Sequence, residues 1–159
     1  MYYLILKTVH ILSAMLFLGT GFGSAWYRFR ADHSQDVRVI AWCQREIVRA
    51  DWFFTVPAGI LLPATALGMI QYLQLPWQTT WIMGGLAGYS IAGVFWLPAV
   101  WLQIQMRRLA DHALATETPL PPVYFRYARM WLWLGFPSFL SALGTLWFMV
   151  AKHAALGSP

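Results

Sequence analysis

Four apolar runs, each long enough to cross a hydrocarbon core of about 30 Å, leave this chain little choice of architecture. They cover residues 3–26, 52–73, 80–102 and 131–150. A spanning helix takes roughly 20 residues and satisfies its own backbone polar groups, which lipid cannot do for it. With 59% of the 159 residues hydrophobic and 11% charged, a soluble domain would lack the polar side chains to cover its surface. The expected fold is all-α, an integral membrane four-helix transmembrane bundle forming a single domain over residues 1–159.

The first run is longer than the apolar core of a cleavable signal, and no small-x-small site follows it, so it is expected to stay as the first helix. Cys43 is the single cysteine, which leaves no Cys-x-x-Cys metal or haem-attachment motif. The net charge of +5 is distributed as topology rather than as a nucleic-acid stripe. Arg28, Arg30, Arg38, Arg45 and Arg49 lie between the first two spans, and Arg107, Arg108, Arg126 and Arg129 between the last two. The connection 74–79 has no basic residue. The positive-inside rule then predicts cytoplasmic first and third connections, both termini outside, and arginine contact with anionic lipid.

Val37, Ile40, Ala41, Ile47 and Val48 recur at helical spacing among charged positions, which predicts an amphipathic cytoplasmic helix before helix two, with Ser34 as its cap. It is expected to run into helix two or to lie on the membrane surface. Residues 116–122, Thr-Glu-Thr-Pro-Leu-Pro-Pro, read as a non-helical turn segment. Pro57, Pro63, Pro98 and Pro137 each remove a backbone donor and predict kinks. Gly19 and Gly23, and Gly84 and Gly88, are spaced for close approach of helices. Trp52, Tyr72, Trp77, Trp81 and Trp131 fall near span ends, where interface anchors belong.

His10 is the one titratable ring inside a span. Such a group normally faces a bundle interior, a ligand or a proton path. His10, Ser13, Ala14, Phe17, Gly21 and Ser24 follow at three- and four-residue steps, so this face is expected to point inward. At similar depth stand Thr65, Met69, Met83, Thr145, Met149, Lys152 and His153. One reading makes His10 an axial ligand, and the metal-binding residue, of haem b, with Lys7 meeting a propionate, Phe17 and Tyr89 walling the pocket and Met149 nearby. The other leaves His10 neutral and hydrogen-bonded to a hydroxyl or carbonyl.

Asp51, at the inner end of helix two, is expected in an interfacial ion pair with Arg49, Arg28 or Arg30, or in a proton-entry role. His33 and His112 lie in the connections with no third ligand spaced for a metal. Phosphate loops, dinucleotide fingerprints, His-Glu-x-x-His and nucleophile elbows do not occur, which argues against hydrolysis and nucleotide-driven work.

Lys7 to Ser13 with Phe17 and Gly19, Pro57 to Gly68, Trp96-Leu97-Pro98 with Trp101-Leu102-Gln103, Gly135-Phe136-Pro137 and the ending Met149 to Lys152 resemble the uncharacterised bacterial membrane family named domain of unknown function 2269. That resemblance covers nearly the whole chain and implies a multi-pass protein of the bacterial inner membrane. More distantly, the opening is similar to HemJ-type protoporphyrinogen oxidases and copper-resistance D-type proteins. The HemJ resemblance implies haem b at His10, but the third-helix Lys and the Asn-Glu pair of that type are replaced here by Met83-Gly84-Gly85 and by Gly135-Phe136. The expected function is therefore a haem-b-binding membrane redox protein linked to quinone or porphyrin oxidation. The alternative is a non-catalytic subunit or assembly factor that packs against a respiratory or other membrane complex, or against itself, through Gly and Trp faces. Metal-ion movement is a weaker third reading.

Overall fold

The computed structural model describes residues 1–155, with side chains for residues 1–151. The side chains of Lys152 and His153, two candidates above, lie outside the described residues. Helix α1 covers Tyr2–Ser34, α2 Val37–Ala50, α3 Val56–Tyr72, α4 Thr80–Ala115 and α5 Pro122–Ala155, and a π-helical turn, Asp51–Thr55, joins α2 to α3. Four helical passages are long and apolar enough to cross a membrane: α1, α2 continued into α3, α4, and α5.

Three of these helices overrun the apolar runs that predict them. Polar residues end a hydrophobic span but do not break a helix, so α1 continues through Arg28 to Ser34, α4 through Arg107 to Ala115, and α5 begins at Pro122. Proline suits that first position because its missing N–H would have no intrahelical partner. The amphipathic helix forms as expected and runs into α3. Its cap, however, is Asp36, whose Oδ1 accepts from the Arg38 N–H at 2.8 Å. Ser34 instead donates from Oγ to the Ala31 carbonyl at 2.7 Å, closing α1, and Gln35 at φ 55° turns the chain.

The apolar face of α2 makes the core. Ile40, Ala41, Cys43 and Ile47 pack with Ala31 of α1, Met106 and Ala110 of α4, and Tyr124 of α5. All of this lies at the arginine-rich end of the bundle. Away from it the helices separate into two pairs, α1 with α3 and α4 with α5, and the backbones of α3 and α4 do not meet among the described residues.

Each pair closes over glycine. A Cβ on Gly84 would lie 3.0 Å from the Phe148 ring, and one on Gly88 would meet Thr145 Oγ1 and, at 3.1 Å, the Ser141 carbonyl. That pair of glycines does what its spacing predicts. Gly19 and Gly23 do not, since nothing lies within 4 Å of either Cβ position. The stripe that α1 turns inward runs through Ser13, Ser24, Arg28 and Ala31, and these glycines sit beside it. On α3 the close approaches are instead Gly59, 3.5 Å from the Phe17 ring, and Gly68, 3.1 Å from Leu6.

Candidate functional site

The gap between α3 and α4 encloses a cavity of about 380 Å³. This is inside the range of roughly 300–1,000 Å³ typical of small-ligand pockets. Its walls are Phe17 from α1, Trp52, Val56, Gly59 and Ile60 from the second passage, and Tyr89, Gly93, Trp96, Leu97 and Val100 from α4. Asp51 and Gln103 line its arginine-rich end. Trp52, Ile60 and Leu97 are 62%, 65% and 65% exposed, so the rim lies on the outer surface of the bundle, where lipid would be.

Asp51 is 7% exposed. Its Oδ1 accepts from Thr55 Oγ1 at 2.7 Å and its Oδ2 from Gln103 Nε2 at 2.9 Å. The expected ion pair is absent. Arg49 pairs with Glu46 at 2.6 Å, and Arg28 with Asp32 at 3.4 Å. The π-helical turn carries this arrangement, because it begins at Asp51 and ends at Thr55, one residue before Val56-Pro57 interrupts the regular hydrogen-bond ladder. A π-bulge ahead of a proline absorbs the missing donor and redirects the side chains around it.

At the other end of the cavity, Pro63 lacks the N–H that would bond the carbonyl four residues earlier, that of Gly59. Tyr89 Oη reaches from α4 and donates to this carbonyl at 2.5 Å. The donor lost within one helix is thus replaced from its neighbour, and the two helix pairs are tied across the gap.

His10 lies about 10 Å further along α1 than Phe17, by the helical rise of 1.5 Å per residue. Its Nδ1 is 2.9 Å from Thr65 Oγ1 and 3.1 Å from the Leu62 carbonyl. Thr65 already donates to the Leu61 carbonyl at 2.6 Å, so Nδ1 carries a proton and donates, and no described group is hydrogen-bonded to Nε2. Among the described groups expected at this depth, Thr65 is the one hydrogen-bonded to His10. Met83 is 54% exposed, while Thr145 and Met149 pack on Gly88 and Gly85 between α4 and α5. Lys7 lies over the Tyr3 ring at 6.0 Å. Among the five residues proposed for a cofactor, Phe17 and Tyr89 share the cavity, and His10, Lys7 and Met149 stand outside its lining. Among the described residues, no three His, Cys, Asp or Glu side chains converge as a metal site.

A second polar cluster holds the arginine-rich end together, outside the spans. Tyr124, fully buried, donates to Asp32 Oδ1 at 2.6 Å and accepts from Gln44 Nε2 at 2.8 Å. Arg28 Nη2 donates to the Ala128 carbonyl at 2.9 Å, and its guanidinium lies 4.3 Å over the Trp131 ring. Burial first, then the neighbouring Asp32 charge, pushes the Tyr124 phenol well above its ordinary pKa. In the sequence Arg28 reads as a topological charge and as a candidate partner of Asp51, not as part of this cluster. The Arg28–Asp32 spacing of four was the available signal for a helix-surface pair, and Gln103, a polar residue at the end of an apolar run, was the signal for a buried partner.

No curated protein and no solved structure matches the chain, so neither comparison supports the expected similarity to the HemJ and copper-resistance D types. Residues 4–153 do match the family described as predicted integral membrane protein, DUF2269. That match takes in every spanning helix, the Asp51 turn and the whole lining of the cavity, and the chain belongs to this family of integral membrane proteins.

Proposed function

We propose that this protein takes a small lipid-soluble molecule sideways out of the bilayer and holds it between α3 and α4, polar end toward Asp51. The observation that supports this reading is the cavity itself, apolar and ring-lined along its length, polar at one end and rimmed by lipid-facing side chains. Ligand pockets combine an apolar body with a few placed polar groups in this way. The arginine-rich end is assigned to the cytoplasmic side of a bacterial inner membrane, with both termini outside, by the positive-inside rule. Accessibility of an amino-terminal tag in intact spheroplasts tests the orientation.

Bromobenzene tests the cavity, since Trp52 and Trp96 line it and a heavy-atom probe quenches tryptophan. Full-length protein in lipid nanodiscs should show saturable quenching above the partition background. Gly93→Leu should abolish the saturable part, because a side chain there meets nothing within 4 Å of its Cβ and extends into the cavity. Equal, non-saturable quenching in both proteins would refute the reading.

His10 favours a second reading, redox service through haem b with a quinone or porphyrin as partner. A metal-ligating histidine characteristically donates its other ring N–H to a carbonyl or similar acceptor, and Nδ1 is engaged in that manner while no described group is hydrogen-bonded to Nε2. His10 would be the residue that holds the iron. Haem b would supply one-electron chemistry there, and the chain's part is to orient the imidazole through Thr65 and Leu62. Oxidised and dithionite-reduced spectra of purified protein should then show a stoichiometric Soret band that His10→Ala removes without loss of helicity. A featureless spectrum from haem-replete cells ends this reading. The open face of α1 at Gly19, Gly21 and Gly23 favours membership of a larger membrane complex, which would appear as a co-purifying subunit.

A further inference from the structure

We infer that the molecule held between α3 and α4 is an organic cation, an amphiphilic amine whose charge sits on Asp51 and whose body lies among the rings. The inference rests on the cavity reading above and concerns what fills it.

Six acidic residues are present in the chain, and the ion pairs account for three of them: Arg28–Asp32, Arg49–Glu46, and Arg45 and Arg107 with Asp111. Asp36 and Glu117 are exposed. Asp51 alone is a buried carboxylate with no cation among the described residues. The arginine two residues before it turns the other way, to Glu46. An uncompensated carboxylate at membrane depth is costly, and is relieved by a proton or by a cation.

The hydrogen bonds favour the cation. Thr55 and Gln103 donate into Asp51, one to each oxygen, and hydrogen bonds of this kind favour the ionised form. A hydroxyl in a helix interior commonly bonds the carbonyl four residues earlier; Thr55 uses the side chain of that residue instead. Each carboxylate oxygen keeps one lone pair for a further donor. These two neutral donors orient the charge without cancelling it.

The walls complete the argument. Phe17, Trp52, Tyr89 and Trp96 line the cavity, and the negative faces of such rings attract organic cations. A carboxylate ligand would be repelled by Asp51. A neutral head could bond the same lone pairs but would leave the charge uncompensated.

Phenylbutylamine, phenylbutanol and phenylbutyrate share one body and differ in their heads. Equilibrium dialysis against full-length protein in nanodiscs, corrected for partition into empty nanodiscs, should give saturable binding of the amine. Its Kd should be at least about tenfold below that of the alcohol. Asp51→Asn should bring the amine to the level of the alcohol, and Thr55→Val, which keeps the carboxylate, should preserve the preference. Alcohol or acid binding as tightly as the amine overturns the cation inference while leaving the cavity reading intact. Absence of saturable binding for all three heads overturns both. The head series on unaltered protein decides the matter even if Asp51→Asn does not fold.

Discussion

At the arginine-rich end Tyr124, Met106, Ala41 and Ala110 are completely enclosed, whereas along the spans Trp133, Trp147, Phe53 and Val94 are 74%, 70%, 73% and 68% exposed. The two regions answer to different solvents. Where water surrounds the helices, burying apolar area drives them together at about 25 cal/mol per Å². Inside lipid that force is missing, and association depends on close packing over small residues and on interhelical hydrogen bonds. The bundle is therefore clamped at one end and divided into pairs along the membrane, and the gap between α3 and α4 is where neither device brings backbones together. A ligand cavity fits the second region and would be expensive in the first.

Tyr124→Ala should produce the largest effect. It removes a fully buried ring together with its bonds to Asp32 and Gln44, and should destabilise by about 3–5 kcal/mol. Thermal denaturation in detergent, followed by circular dichroism, would measure it. Trp133→Ala, of comparable size but lipid-facing, should change stability by no more than about 0.5 kcal/mol. Similar losses at the two sites would break the comparison between the regions.

Within the spans, close packing can be set against open space using one side chain. Gly88→Leu drives a Cβ against Thr145 and the Ser141 carbonyl, and overpacking of this kind costs about 1–3 kcal/mol. Gly93→Leu, slightly more than one turn along the same helix, has nothing within 4 Å and should leave the midpoint unchanged while filling the cavity. A midpoint lowered equally by both would mean that α3 and α4 are closer in the bilayer than in the structure.

The four spans, the amphipathic helix and the turn at residues 116–121 were legible because hydropathy, helical period and proline act locally. What was not legible came from pairing across the chain. Asp51 beside Arg49 looks like an ion pair in one dimension, yet the π-helical turn sends Arg49 to Glu46 and Asp51 to Gln103, 52 residues away. Gly19–Gly23 and Gly84–Gly88 have the same spacing, and only the direction in which each helix presents its stripe separates packing from open surface. His10 was identified as an inward-facing residue and Thr65 as a group at its depth, but their hydrogen bond depends on how α1 and α3 are rotated.

The clamp also predicts an alkaline limit. Tyr124→Phe should cost about 1.5 kcal/mol at neutral pH, as expected for a hydrogen bond to a charged group. In the unfolded chain the phenol ionises near pH 10, while in the folded protein burial and the Asp32 charge hold it protonated to higher pH. Its contribution is thus fully present below the unfolded pKa and is lost as pH rises from about 10 toward the folded value. Chemical denaturation at pH 8 and above pH 10 should show native protein losing stability more steeply than Tyr124→Phe. Parallel slopes would place the titrating group elsewhere.

The smallest effect belongs to the hydrogen bond between Tyr89 of α4 and Gly59 of α3. Tyr89→Phe removes the donor to the Gly59 carbonyl, and interhelical bonds in membranes average about 0.6 kcal/mol. A single variant at that level is barely measurable, so the informative experiment is a cycle with Pro63→Ala. Restoring an N–H at residue 63 gives the Gly59 carbonyl an acceptable partner within its own helix, after which the phenol has less to satisfy. In the Pro63→Ala background, Tyr89→Phe should therefore cost less than it does alone, and the coupling should be absent when Tyr89→Phe is combined with a lipid-facing control such as Trp133→Ala. Additive costs at positions 63 and 89 would mean that Tyr89 serves the cavity wall and that the freed carbonyl is satisfied in some other way.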